Sequence, residues 1–355
     1  MRRSYLAPMS KASKIKSFDP NTPGDPDAQI YGLPFTCDEA DVVLLPVPWE
    51  VTTSYGGGTS RGPEAIREAS FQVDLFHPEF PKLWQRGIAM DEVPKALRQQ
   101  SVALKKLAAV VIEAQTGKAS AKQLAKAAKA MVLINEECAV MNDWVEERCA
   151  YWMKQGKLVG LVGGDHSTPL GLFRAQAKRH RKFGILHIDA HLDLRIAYEG
   201  FLYSHASIMH NALRIPQLER IVSVGIRDFC QQENEVFLAA KDRVRIVRSA
   251  DMRAMQYAGA TWKDQCEAII NALPEKVHIS FDIDGLDPTL CPHTGTPVPG
   301  GLQFEEATYL LSRLAAKRTL IGFDLVEVSP GKDEWDANVG ARLLWHLCGV
   351  LASRK

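Results

Sequence analysis

Apolar positions in this chain fall into two textures. Short apolar runs, at 41–47, 158–162, 184–188, 220–224, 244–247, 277–281 and 319–326, recur between longer stretches of mixed residues such as 169–180 and 261–273. Runs of this length without a wet face fit strands buried on both sides, and the connections are long enough to hold helices. Alternating β and α of this kind predicts an α/β fold. We expect a three-layer αβα arrangement around a mostly parallel, doubly wound sheet.

The rest of the chain reads differently. Residues 95–157 are rich in Ala, Lys, Leu, Glu and Gln and predict two or more helices with a break at Thr116-Gly117, one face charged and one face packed. Residues 1–40, rich in Pro, Asp and Gly, predict an irregular surface arm. No repeat or linker divides the chain beyond that arm, so 41–355 is expected to form one domain. Residues 54–67 (SYGGGTSRGPEAIR) predict a glycine-rich loop entering a helix, with Pro63 near the first turn, where no N–H is needed. The loop lacks the GxxxxGK[ST] spacing of a phosphate loop.

Composition narrows the classes. With 355 residues, 46% of them hydrophobic, the chain can bury a core without staples. Its 43 Lys and Arg against 42 Asp and Glu leave a formal charge of +1, which points away from nucleic acid and anionic membrane as partners. The basic start lacks the apolar core of a secretory signal, and no stretch is long enough to span a bilayer. Seven cysteines without CxxC spacing fit reduced thiols in a cytoplasmic protein rather than a disulfide framework or a structural zinc site. Cys291 has no activating base beside it in sequence and reads as a small loop residue.

The chemistry is written at the ends of three of these runs, as GGDHS (163–167), HIDAHLD (187–193) and SFDIDGLDP (280–288). In open parallel sheets the working residues lie beyond the carboxyl ends of strands. Asp189, His191 and Asp193 alternate, as do Asp282 and Asp284, and period-two spacing puts each set on one side of an extended chain. Burying unpaired carboxylates is costly. No basic residue is interleaved to neutralise them, although Arg195 follows, so divalent cations are the favoured solution. Four aspartates with His166 and His191 suit Mn²⁺, with Ni²⁺, Co²⁺ or Fe²⁺ also compatible. So many carboxylates fit two ions sharing bridging ligands.

These three motifs, with TGTPVPGG (294–301) and VEVSP (326–330), resemble the signatures of the ureohydrolase family of arginase, agmatinase and formimidoylglutamase over roughly residues 40–350. The resemblance implies an arginase-like fold and a homo-oligomer, trimeric or hexameric. It also implies that His166, Asp189, Asp193 and Asp282 hold one ion and Asp189, His191, Asp282 and Asp284 the other. His187 has no ligand role in that pattern and reads as a supporting histidine; Asp165 and Asp287 read as loop-shaping residues. Hydroxide formed between the ions would attack a guanidinium carbon, with Asp193 orienting it, His205 carrying the proton to the leaving amine, and Glu327 pairing with the guanidinium.

Charge bookkeeping agrees with a small cationic guanidino substrate and disfavours a two-metal phosphoesterase, which needs Arg or Lys on the phosphate. The loop 193–207 resembles the agmatinase type, so hydrolysis of agmatine to putrescine and urea is the first expectation. Arg195 could instead meet a carboxylate, as in a guanidino acid. His293 could narrow the pocket towards free guanidine. A catalytically silent regulatory homologue is the remaining alternative, disfavoured because all six ligands, His205 and Glu327 are present.

Overall fold

The computed structural model describes residues 10–115 and 117–353. Eight strands, β1 (Val42–Val47), β2 (Ile88–Met90), β3 (Leu158–Gly163), β4 (Phe183–Ile188), β5 (Leu218–Ile226), β6 (Val244–Arg248), β7 (Lys276–Asp282) and β8 (Thr319–Val326), form one sheet. Their order is β2-β1-β3-β8-β7-β4-β5-β6, and each neighbouring pair is parallel. Seven of the strands are those expected from the apolar runs; β2 is an additional three-residue edge strand.

Alternation along the strands assigns the two faces. Val42 and Leu44 belong to the same buried cluster as the helices Trp262–Asn271, Phe304–Lys317 and Trp335–Ala352, whereas Val43, Leu45 and Val47 belong to that of Lys95–Ala114 and Ala121–Lys154 on the other side. Both faces are dry, which is why the strands read as unbroken apolar runs rather than alternating ones.

The stretch 95–157 contains the two helices Lys95–Ala114 and Ala121–Lys154, the second 34 residues long and started by a Ser120/Gln123 capping box. Gly117 in the break has φ +81°; Thr116 lies outside the described residues. Residues 1–9 of the expected arm also lie outside them. The remainder of that arm departs from a purely irregular surface segment. Lys11–Ser17 is helical and capped by Ser10. Ile30, Tyr31, Leu33 and Phe35 are fully buried, and the Tyr31 hydroxyl donates to the Ala341 carbonyl at 2.8 Å. Hydrophobic burial of these four side chains anchors the segment against the last helix.

Order of the strands matters for the site. The chain leaves β3, builds β4 three places away, and fills the gap only later with β7 and β8. A crevice opens where the connections diverge, at the carboxyl ends of the central strands. Gly164, just past β3, receives the Glu327 N–H and donates its own N–H to Val47, both at 2.8 Å. A Cβ at Gly164 would overlap the Trp49 carbonyl. Gly164→Ala is therefore expected to destabilise the protein by about 2–3 kcal/mol through overpacking, seen as a lower denaturant midpoint at unchanged slope.

Candidate metal centre

Four neighbouring strands deliver the site. His166 follows β3, Asp189 follows β4, Asp282 ends β7, and Glu327 follows β8. Asp193 and Glu327 both sit at left-handed φ, +53° and +62°, a conformation that non-glycine residues hold only when their surroundings impose it. Glu327 is held by its N–H to Gly164, by Thr294 Oγ donating to its carbonyl at 2.9 Å, and by the His166 N–H donating to its Oε1 at 2.9 Å.

The side chains converge tightly. His166 Nδ1 lies 3.0 Å from Asp189, 3.1 Å from Asp193 and 3.2 Å from Asp282 carboxylate oxygens. His191 Nδ1 lies 3.1 Å from Asp284 and 3.4 Å from Asp189. Two overlapping donor sets result: His166, His187, Asp189 and Asp193 in one, and Asp189, His191 and Asp284 in the other. Asp189 belongs to both. Both nitrogens of His187 are engaged, Nε2 with Asp189 at 2.8 Å and Nδ1 with Ser223 at 3.0 Å, so the ring braces Asp189 from below. Asp165 accepts from the Ser167 N–H at 2.9 Å, and Asp287 accepts from the Thr289 N–H at 3.0 Å, each shaping its own loop.

Electrostatics shows how unbalanced this cluster is. Burial, then the charges of Asp284 and Asp189, push Asp282 well above the usual carboxylate range. Burial and Asp189 raise Asp193 to about 6. Burial, then Asp165, also raises Glu327 well above its usual value. For His166 burial opposes the charged form, but Asp189, Asp193 and Asp282 outweigh it and raise the imidazole. Among the described residues no Lys or Arg forms an ion pair with Asp189, Asp193, Asp282 or Asp284. His166 Nδ1 is completely buried, has no hydrogen-bond partner, and faces three carboxylates. An imidazole nitrogen ringed by three carboxylate oxygens is a donor set that suits divalent cations.

Behind the clustered donors runs a buried chain. His166 Nε2 meets Ser280 Oγ at 2.9 Å, Ser280 donates to Asp324 at 2.9 Å, and Asp324 is 2.7 Å from His278 Nε2, whose other nitrogen meets Gln176 at 2.8 Å. Sequence reading missed this chain, although His278, Ser280 and Asp282 share the period-two face of β7 and Asp324 stands alone in an apolar run. Such partners fix ring orientation and tautomer.

A cavity of about 270 Å³ opens above the cluster. It is lined by His191, Asp193, His205, Asp282, Asp284 and Glu327 together with a wall of Ser54, Tyr55, Arg195, Tyr198, Asp228 and Glu233. The structure thus brings all eight predicted site residues to one place, His166, Asp193, His205, Asp282, Asp284, Glu327 and His191 at the cavity and Asp189 beneath it. Burial, then the charge of His191 and His166, lowers His205 to about 4, leaving a neutral imidazole that can accept a proton. Tyr55 and Asp228 escaped the sequence reading; Asp228 lies two residues beyond β5, where the strand-end rule would have found it. Cys291 is buried, its thiol donates to the Ile283 carbonyl at 3.3 Å, and burial raises its pKa, so it is inert.

One expectation is corrected in detail. His293 does not narrow the cavity: its Nδ1 is 2.8 Å from Asp336 of the last helix, whose other oxygen takes the His293 N–H at 3.0 Å. Arg195 lines the cavity 3.7 Å from buried Glu233 and stacks 4.8 Å from the Tyr198 ring, so its charge is partly matched within the wall. If the buried chain orients His166, Asp324→Asn should weaken divalent-metal binding by about 10–100-fold while the protein stays folded, as measured by metal titration and thermal melting.

Known proteins align with this picture. The model of the Arginase family matches residues 40–349. An N(1)-aminopropylagmatine ureohydrolase of Thermus thermophilus is 30% identical over 313 residues, 88% of this chain and 91% of its own length. An agmatinase of Proteus mirabilis is 30% identical over 328 residues, 91% of this chain and 90% of its own. The crystal structure of agmatine ureohydrolase from Thermoplasma volcanium superposes with a TM-score of 0.68 at 25% identity, covering 91% of this chain and 94% of that one. Matched along nearly its whole length, with the αβα sheet and the clustered His and Asp donors in place, the chain belongs to the arginase family and is a hydrolase acting on guanidino groups.

Proposed function

We propose that this enzyme hydrolyses agmatine to putrescine and urea. The carrying observation is the charge of the cavity wall. Its one lining cation among the described residues, Arg195, is matched by Glu233 and Tyr198, while Asp228 has no ion-pair partner there. A wall with spare negative charge favours a substrate tail ending in an ammonium over one ending in a carboxylate. The longer tail of N(1)-aminopropylagmatine is accepted by the same logic. A guanidino acid would meet only Arg195, whose charge is already shared with Glu233, and free guanidine has lost the narrowed pocket that recommended it.

His166, Asp189, Asp193 and Asp282 would hold one divalent ion and Asp189, His191, Asp282 and Asp284 the other, Mn²⁺ foremost and Ni²⁺ as the alternative. When bound, such a pair lowers the pKa of a water enough for attack near neutral pH. The protein's own groups do the rest. Asp193 accepts a hydrogen bond from the attacking water and aims it at the guanidinium carbon. Glu327, whose Oε1 is fixed by the His166 N–H, presents its carboxylate to the guanidinium, and that cation favours the ionised form that burial opposes. His205, neutral at rest, takes the proton and passes it to the leaving amine. Among the described residues no helix is long and apolar enough to cross a membrane, and all seven cysteines are free; a cytoplasmic homo-oligomer, trimer or hexamer, suits both.

Urea release by the Mn²⁺-loaded protein is the test, run with agmatine, N(1)-aminopropylagmatine, arginine, 4-guanidinobutyrate and guanidine. Agmatine or its aminopropyl derivative should give the highest kcat/KM; preference for guanidinobutyrate would overturn the choice of substrate. Two variants separate the roles. His205→Asn should lower kcat by about 10²–10⁴-fold at unchanged metal content. Asp228→Asn should instead raise KM for agmatine by roughly tenfold, the loss of one exposed charge contact.

A further inference from the structure

We infer that the helical pair Lys95–Ala114 and Ala121–Lys154 is a clamp that positions the substrate wall of the cavity, with Gln115 and Asn135 as positioning residues. The starting observation is a strained turn. Tyr198, Glu199, Gly200 and Phe201 close a two-residue hairpin by reciprocal backbone bonds of 3.2 and 2.9 Å, with φ of +52° at Glu199 and +85° at Gly200. Both central residues at positive φ define a turn that Asn-Gly or Gly-Gly makes without strain. Glutamate makes it only under constraint.

The constraint comes from the helices. Gln115 Nε2 donates to the Glu199 carbonyl at 2.7 Å. Asn135 grips the turn twice, accepting the Leu202 N–H at 2.8 Å and donating to the Gly200 carbonyl at 3.3 Å. Met131 of the same helix covers Gly200. None of these residues lines the cavity. What they hold does: Tyr198 stacks under Arg195 and stands edge-on to His205, with ring centroids 5.8 Å apart. The helices therefore reach the proposed proton carrier through one turn.

A second part of the wall is held by the first helix of the pair. Ser101 Oγ accepts the Glu50 N–H at 3.1 Å, and Lys105 pairs with the buried Glu50 carboxylate, which in turn takes the N–H groups of Gly58 and Ser60 at 2.9 and 3.0 Å. That loop carries Ser54 and Tyr55 to the cavity lining. Two loops distant in sequence are thus set to one width by a single helical pair.

The clamp rests on guanidino hydrolysis at this cavity but not on which guanidino amine is the substrate. Gln115 is exposed and Asn135 half-buried, so Asn135→Ala and Gln115→Ala should fold normally and keep full metal content. With whichever guanidino compound the wild type turns over, KM should rise by about 5–10-fold in Asn135→Ala, the loss expected for hydrogen bonds that fix a wall, with a larger rise in the double variant. Asn135→Asp, which keeps the acceptor for Leu202, should recover part of the loss. Amide exchange needs no substrate: the Leu202 amide should lose protection in Asn135→Ala while strands β4 and β7 keep theirs. Loss of Leu202 protection together with a raised KM supports the clamp. Unchanged KM, or unchanged protection at Leu202, overturns it. If agmatine is not turned over but another guanidino compound is, the proposed substrate fails while both readouts still decide the clamp.

Discussion

Repulsion among four buried aspartates is the interaction on which the rest of this structure depends. Asp189, Asp193, Asp282 and Asp284 meet at the ends of two adjacent strands, beyond the reach of any lysine or arginine ion pair among the described residues. Like charges at this separation in a poorly hydrated place are strongly unfavourable without cations between them. Much of the surrounding architecture can be understood as holding these groups in place. His187 braces Asp189, the Ala190 N–H bonds Asp284 at 3.0 Å, and the Asp284 N–H bonds Asp282 at 2.9 Å. Arg227 does the same for the backbone, its guanidinium donating to the carbonyls of Asp284 at 2.7 Å and Val298 at 2.9 Å. These bonds brace the cluster before a substrate arrives, an arrangement that leaves less reorganisation for the reaction itself.

How much of this was legible in the sequence depends on which interactions are local. The seven long strands were readable because a sheet covered on both faces needs unbroken apolar runs, as in VVLLPV of β1 and FGILHI of β4. Strand β2 was not, since Ile88–Met90 is too short to show a period and pairs only with β1. The anchoring of the first segment was hidden for another reason: Ile30, Tyr31, Leu33 and Phe35 are buried by contacts with helices hundreds of residues later, and their spacing among prolines and glycines follows no period.

The site divides the same way. Alternating His and Asp at strand ends announced the donors, because period-two spacing is a property of the chain itself. The direction of a loop side chain is not. His293 turns to Asp336 and Arg195 to Glu233, partners 43 and 38 residues away, and neither choice can be read from neighbouring residues. The helical stretch 95–157 showed its amphipathic texture but not its purpose, since Gln115 and Asn135 look like ordinary surface amides until the turn they hold is seen.

The late filling of the sheet has a consequence for how the protein comes into being. His166 leaves the ribosome 161 residues before Glu327, the residue whose carboxylate fixes its backbone, and Asp282 and Asp284 emerge between them. Strands β3 and β4 therefore cannot sit at their final spacing until β7 and β8 have been synthesised and inserted between them. Pairing of strands so far apart in the chain is a slow, non-local event. The donor cluster is consequently complete only in the finished polypeptide: a chain that stops before β7 carries the first donors without the carboxylates that face them.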